Sequence, residues 1–313
     1  MKRALVFPGQ GSQTPGMGQA LAEAFPAARL LFQEIDDALS QHLSRLMFEG
    51  PESELMLTEN AQPALLAVSL AAMRVLANEA GFDIARQAAY VAGHSLGEYS
   101  ALAAAGAFSA PEAARLVKRR GRAMQQAVPV GEGAMAALLG LDIEIAREVA
   151  IEAAGRQICA VANDNSPGQI VVSGHKDAVE RAIALATARG ARRSIMLPVS
   201  APFHCALMHP AAEIMAEALE EAALRPPGVP LVANVTAAPT RDPGEIKKLL
   251  VEQVTCMVRW RETVLLFAQN QVEEVVELGA GRVLSGLVKR IDRELAAVSV
   301  GTPAELDALV KRL

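Results

Sequence analysis

Apolar and polar positions along this chain follow two different rhythms. "RALVF", at residues 3–7, is a short continuous apolar run that stops at Pro8-Gly9, which predicts a buried strand. Residues 21–39 and 63–80 carry apolar side chains at helical spacing. "AAYVAG", at 88–93, predicts a second buried strand and leads into a serine flanked by glycines. Residues 96–105 are strongly helix-forming, and 110–127 continue as a helix with a basic middle. Strand, helix, helix, strand, sharp turn and helix, in that order, predict a parallel sheet sandwiched by helices.

From about residue 131 the rhythm changes. The pattern predicts a strand at 134–141, a helix at 143–154 and two strands, "ICAVAND" and "QIVVSGH", joined by a turn at Asn165-Ser166-Pro167-Gly168. A helix at 177–189 and a strand at 192–199 follow. This β-α-β-β-α-β succession is the ferredoxin-like pattern. The reading is therefore a small domain at 131–198 inserted into a large α/β domain made of 1–130 and 199–313, with a cleft where they meet. Beyond it, a helix at 211–223, strand "PLVAN", a helix at 245–255 and strand "VEEVVELG" resume the α/β alternation.

Composition narrows the function classes. The 313 residues are 51% apolar and 21% charged with a net charge of −5, so no basic field attracts nucleic acid. One Trp and two Tyr offer no platform for stacking bases. Cys159, Cys205 and Cys256 are odd in number and far apart, which argues for a reducing compartment, no disulfide framework and no zinc site. Only four apolar residues precede Pro8-Gly9, too few for a signal-peptide core, and Arg74, Asn78 and Glu79 interrupt the alanine-rich stretch at 61–80, which reads as a buried helix and not a membrane span. The expectation is a cytoplasmic protein.

Gly93-His94-Ser95-Leu96-Gly97 fits G-x-S-x-G, a turn in which small flanking residues let the backbone present a serine Oγ at a helix N-terminus. The strand before it and the helix after it favour a nucleophile at Ser95 over a capping serine. The N–H of Leu96 then points where an oxyanion would develop. Among five histidines, His204 in "SAPFHCALMHPA" is the expected base, with His209 as a second candidate; His42, His94 and His175 read as solvated, supporting and turn residues. Asp142, Asp164 and Asp177 lie between Ser95 and His204, but Asp142 and Asp177 precede helices and read as caps, so a backbone carbonyl is a candidate for orienting the histidine. "FPGQGSQ" lacks the last glycine of a dinucleotide loop, where Thr14 stands, and reads instead as a second donor loop for an oxyanion hole. In "LVKRRGRAM" an arginine could hold a substrate carboxylate in bidentate fashion, and the sequence leaves Arg119, Arg120 and Arg122 open.

Seven segments occur together and in order: "FPGQGSQ", "TENAQPALLA", "AGHSLGEYSALAAAGAFS", "RRGRAM", "NSPGQIVVSG", "PVSAPFHCALMHPA" and "ELGAGRVLSGLVKRI". With them the chain, from about residue 5 to 291, resembles the malonyl-CoA:acyl carrier protein transacylase family. The resemblance implies an α/β-hydrolase-like large domain with an inserted ferredoxin-like small domain. It implies transfer of malonyl from malonyl-CoA to a carrier protein's phosphopantetheine thiol, in type II fatty acid biosynthesis, through an ester on Ser95. His204 is then the base, the backbone N–H groups of Gln10 and Leu96 form the oxyanion hole, and Arg120 binds the malonyl carboxylate. Gln253 would orient His204 through its carbonyl, although Met257-Val258 stands where many relatives have Pro-Val. Asn163 matches an asparagine near the family's cleft. Phe203, in "APFH", favours malonyl over methylmalonyl by crowding an α-methyl branch. Malonyl-CoA and the acyl carrier protein are the implied partners, with no cofactor, no metal, no membrane and a monomeric enzyme. Because carrier proteins are usually acidic, Arg189, Arg192, Arg193, Lys289 and Arg290 read equally as a docking patch or as solvated helix ends. A serine esterase or thioesterase on the same fold, and a non-catalytic acyl-binding module, are the rival readings.

Overall fold

Two sheets organise the described residues, 1–199 and 201–313 of a computed structural model. Ten strands run β1 Arg3–Phe7, β2 Tyr90–Gly93, β3 Gly133–Leu139, β4 Cys159–Ser166, β5 Gln169–His175, β6 Arg193–Met196, β7 Leu231–Val232, β8 Pro239–Thr240, β9 Glu274–Leu278 and β10 Ala296–Val300. The first sheet has the order β10-β9-β1-β2-β7-β8, and its pairs are parallel except β7 with β8.

Every residue of β1 is buried, as a continuous apolar run requires when helices cover both faces of a parallel sheet. Alternation along the strand divides it between two cores. Leu5 and Phe7 pack with Leu65, Leu66 and Leu76 of the helix Thr58–Ala80; Ala4 and Val6 pack with Trp260, Val264 and Phe267 of the helix Trp260–Gln269. Thr58–Ala80 is long and apolar enough to cross a membrane, but 89% of its apolar window is buried inside the protein. It begins five residues before the predicted start and runs through Pro63. The helix predicted over 21–39 is instead two, Gln19–Ala24 and Pro26–Leu39. Pro26 has no N–H to continue the first helix and holds the residue before it extended, but suits the first turn of a new one. The helices Leu43–Glu49, Val283–Ile291 and Pro303–Val310, and strand β10, add to the predicted elements.

The second sheet is antiparallel with the order β4-β5-β3-β6. The helices Ile143–Ala154 and Lys176–Ala188 cover one face through Ala136, Leu138, Val149, Val172, Val179 and Ala182, completing the ferredoxin-like βαββαβ unit. The β4–β5 turn is shorter than expected: β4 continues through Ser166, leaving Pro167-Gly168 with Gly168 at φ 71°. On the other face Met135, Ala162 and Val171 join the main core. Strand β4 is tied down there: Val258 donates to Ala162 O (2.9 Å), Asp164 N–H donates to Val258 O (3.0 Å), and Arg261 pairs with Asp164 (2.9 Å). This docking suspends the small sheet over the C-terminal ends of β1 and β2, where ligands of parallel sheets bind.

Candidate active site

β2 ends at Gly93 and the helix Gly97–Ala104 starts four residues later. To make that reversal Ser95 adopts φ 54°, a left-handed conformation that costs an L-residue about 1–2 kcal/mol. The flanking glycines are needed for space: a Cβ on Gly93 would sit 1.8 Å from Gly97 C, and one on Gly97 would sit 2.1 Å from Phe7 O. Asn234, two residues past β7, spans the turn; it accepts from Ser95 N–H (2.8 Å) and donates through Nδ2 to Gly93 O (2.7 Å).

Ser95 Oγ lies 2.8 Å from His204 Nε2, and His204 Nδ1 lies 2.8 Å from the carbonyl of Gln253. A carbonyl only accepts, so the proton sits on Nδ1 and Nε2 is left to accept from the serine. Burial, reinforced by the nearby Arg120 guanidinium, pushes the His204 pKa down to about 3, which keeps the ring neutral at physiological pH. Arg120, 1% exposed, donates through Nη1 to Gln62 Oε1 (2.9 Å) and through Nη2 to Gln253 Oε1 (2.9 Å) and Ser95 Oγ (3.1 Å). All three acceptors are uncharged groups, and its Nε has no hydrogen-bond partner among the described residues. The arginine therefore carries donors and an unmatched charge beside the serine, suited to an entering carboxylate.

These groups face a cleft of about 380 Å³ lined also by Gln10, Leu96, Asn163 and Phe203, with Met124, Met135 and Leu197 supplying apolar walls. The loop after β1 lies against the serine turn, since a Cβ on Gly9 would meet His94 O at 2.7 Å. The backbone N–H groups of Gln10 and Leu96 have no hydrogen-bond partner among the described residues, the condition required of donors awaiting an oxyanion. Ser95, His204, Gln10, Leu96, Arg120, Gln253, Asn163 and Phe203 are thus gathered at one place. No group of three metal-ligating side chains occurs among the described residues.

The family model described as "Acyl transferase domain" matches residues 4–301. The chain belongs to that family. It is 45% identical over 313 residues to the malonyl CoA-acyl carrier protein transacylase of Bacillus subtilis (strain 168), covering 100% of this chain and 97% of that one. The corresponding Escherichia coli (strain K12) protein is 45% identical over 308 residues, 98% of each chain. Among solved structures, the acyl-carrier-protein-S-malonyltransferase from Bartonella henselae is 52% identical with a TM-score of 0.97, covering 100% of this chain and 99% of that one. A type II PKS acyl-carrier protein in complex with its malonyl-transacylase includes a chain 45% identical, with a TM-score of 0.97 and complete coverage of both.

The other candidate residues of this acyl transferase lie outside that cleft, except His94, which borders it. His209 is largely exposed and faces Glu213 at 3.5 Å, His42 is exposed, and His175 accepts from Ile158 N–H (2.9 Å). His94 supports the turn, with Nε2 2.8 Å from Asn165 Oδ1 and its ring against Trp260. Asp142 occupies an N-cap position without making a side-chain cap, Asp177 lies inside the first turn of its helix, and Asp164 pairs with Arg261. Arg119 pairs with Glu217 and Glu221, and Arg122 with Glu59. Sequence reasoning missed Gln62, Asn234 and Glu98, the last a buried carboxylate whose pKa burial pushes up to about 8. Asn234 had one visible signal, its position just past a strand of the parallel sheet; Gln62 and Glu98 had none, because their partners come from remote segments.

Proposed function

We propose that this acyl transferase moves a malonyl group from malonyl-CoA to the phosphopantetheine thiol of an acyl carrier protein in fatty acid synthesis, through an ester on Ser95. The observation that carries this reading is the buried Arg120 guanidinium 3.1 Å from the serine hydroxyl, a ready partner for the free carboxylate of a malonyl group. An acyl group without that carboxylate leaves the charge unmatched. The names of the relatives point the same way.

In the first half-reaction His204 Nε2 takes the Ser95 proton as Oγ attacks the thioester carbon. Negative charge moves onto the carbonyl oxygen, held by the N–H groups of Gln10 and Leu96. The C–S bond then breaks and coenzyme A leaves with the proton from His204. In the second half the carrier thiol gives its proton to His204, its sulfur attacks the ester carbon, and Ser95 leaves as the alcohol after taking that proton back. The Gln253 carbonyl steadies the imidazole while it carries charge. Asn163 and Phe203 shape the acyl pocket, Phe203 by crowding a methyl branch; such a contact discriminates by about 1–3 kcal/mol. Residues 131–198 form the small domain and the remainder the large one, the enzyme acts in the cytoplasm, and malonyl-CoA is a substrate, with no resident cofactor in the scheme.

Intact-mass spectrometry after mixing with malonyl-CoA, then with phosphopantetheinylated carrier, tests this. One malonyl adduct on the Ser95 peptide, discharged by the carrier faster than by water, is expected. Equal discharge by water would make the protein a thioesterase, and no adduct would remove Ser95 from the chemistry.

A further inference from the structure

Glu98 is 1% exposed, lies three residues after the nucleophile, and has no part in the proton and acyl transfers. Leaving a carboxylate in a core is costly unless something uses its oxygens. One oxygen accepts from Asn234 N–H (3.3 Å) and the other accepts from the side-chain amide of Gln253. That amide nitrogen also faces Ser95 O (2.9 Å) and Asn234 Oδ1 (3.3 Å). On its opposite side Gln253 Oε1 accepts from Arg120 (2.9 Å), while the main-chain oxygen of the same residue accepts from His204 Nδ1 (2.8 Å). A single glutamine therefore touches both the base and the arginine.

A primary amide has nearly the same shape after half a turn about its last bond. Turned, Gln253 would set N–H donors against the guanidinium and its oxygen against three acceptors. Burial raises the Glu98 pKa to about 8, so near pH 7 its carboxyl serves as a neutral acceptor for the amide. Turning the amide leaves oxygen facing oxygen and N–H facing the guanidinium, each a buried polar group without its partner. We propose that Glu98 is a positioning residue of the transfer reaction: through the Gln253 amide it fixes where both Gln253 oxygens point, and so aims His204 and Arg120 together. The inference rests on the roles given above to Ser95, His204 and Arg120.

The test compares full-length wild type with Glu98→Leu, following Ser95 acylation by malonyl-CoA and, as a reference lacking the carboxylate, by acetyl-CoA. A malonyl adduct on the wild type must be present first; its absence overturns the transferase reading itself, separately from the role of Glu98. In Glu98→Leu, which removes the acceptor, acetylation is expected to fall about tenfold as His204 loses its aim, and malonylation about a hundredfold as Arg120 does too. The malonyl-to-acetyl ratio thus drops about tenfold, and Glu98→Gln, which keeps a neutral acceptor oxygen at that position, recovers most of it. A merely structural role lowers the active fraction, hence both rates equally; an unchanged ratio overturns the proposal. Should Glu98→Leu not fold, neutron diffraction on the wild type decides: deuterium on the Gln253 nitrogen facing Glu98 supports the proposal, and the opposite amide orientation overturns it.

Discussion

Arg120 reaches three oxygens at once, and none of them belongs to a carboxylate. Replacing it with alanine removes a buried charged donor, a loss of about 3 kcal/mol against an anionic acyl group. Arg120→Ala should therefore lower kcat/KM for malonyl-CoA roughly a hundredfold and leave acetyl-CoA far less affected. Steady-state rates with both thioesters check this, and equal losses would assign the carboxylate to another residue. His204 makes a different prediction. Its pKa is held at about 3 against an ordinary 6.5, and only the neutral ring can take the serine proton. Activity should fall as pH drops toward the folded value, not through 6.5, so kcat/KM should be flat from about pH 7.5 to about pH 5. An inflection near 6.5 would show an imidazole in contact with water in the free enzyme.

At the scale of elements, glycines decide how closely the catalytic pieces meet. Gly97 lets the helix after the serine lie against the end of β1, where an added Cβ would sit 2.1 Å from Phe7 O. Gly121 does the same for the helix Ala110–Gln126: its Cβ would meet Thr58 O at 2.5 Å, and this approach brings the neighbouring Arg120 to the serine. Gly97→Ala should overpack this contact by about 1–3 kcal/mol. It should also displace Ser95 enough to slow acylation on the order of a hundredfold. Thermal unfolding and the single-turnover acylation rate test both effects; full activity with a small stability loss would show that the serine turn adapts. The strand–turn–helix frame of this motif was readable from residue type alone, since glycine and helix-forming residues act locally. The break at Phe25-Pro26 was readable from the same physics, but the helical spacing on either side masked it.

Over the whole molecule, sheet order places β1, β2 and β7 side by side, so Gln10, Ser95 and Asn234 meet at one edge although 224 positions separate the first from the last. The small sheet closes the cleft through Met135, Asn163 and Leu197. Of the five suggested docking cations, Arg189 is committed to Glu148 and Glu152 and Arg290 to Gln169, while Arg192, Arg193 and Lys289 are exposed. Apolar periodicity by itself determined the two sheet types and most of their helices, because burial on one face or both imposes a fixed spacing. Motif chemistry pointed to Ser95 and His204, and the resemblance carried by seven segments pointed to the class of acyl acceptor. Among Arg119, Arg120 and Arg122 residue type could not choose; the turn of one helix against Thr58–Ala80 did, by burying Arg120 and leaving its neighbours to surface carboxylates. No residue type marks an orienting carbonyl, so Gln253 was reachable from the sequence only through the resemblance, and Glu98 behind it belongs to tertiary structure alone: a carbonyl is present at every position, and only the packing of distant segments brings one to the imidazole.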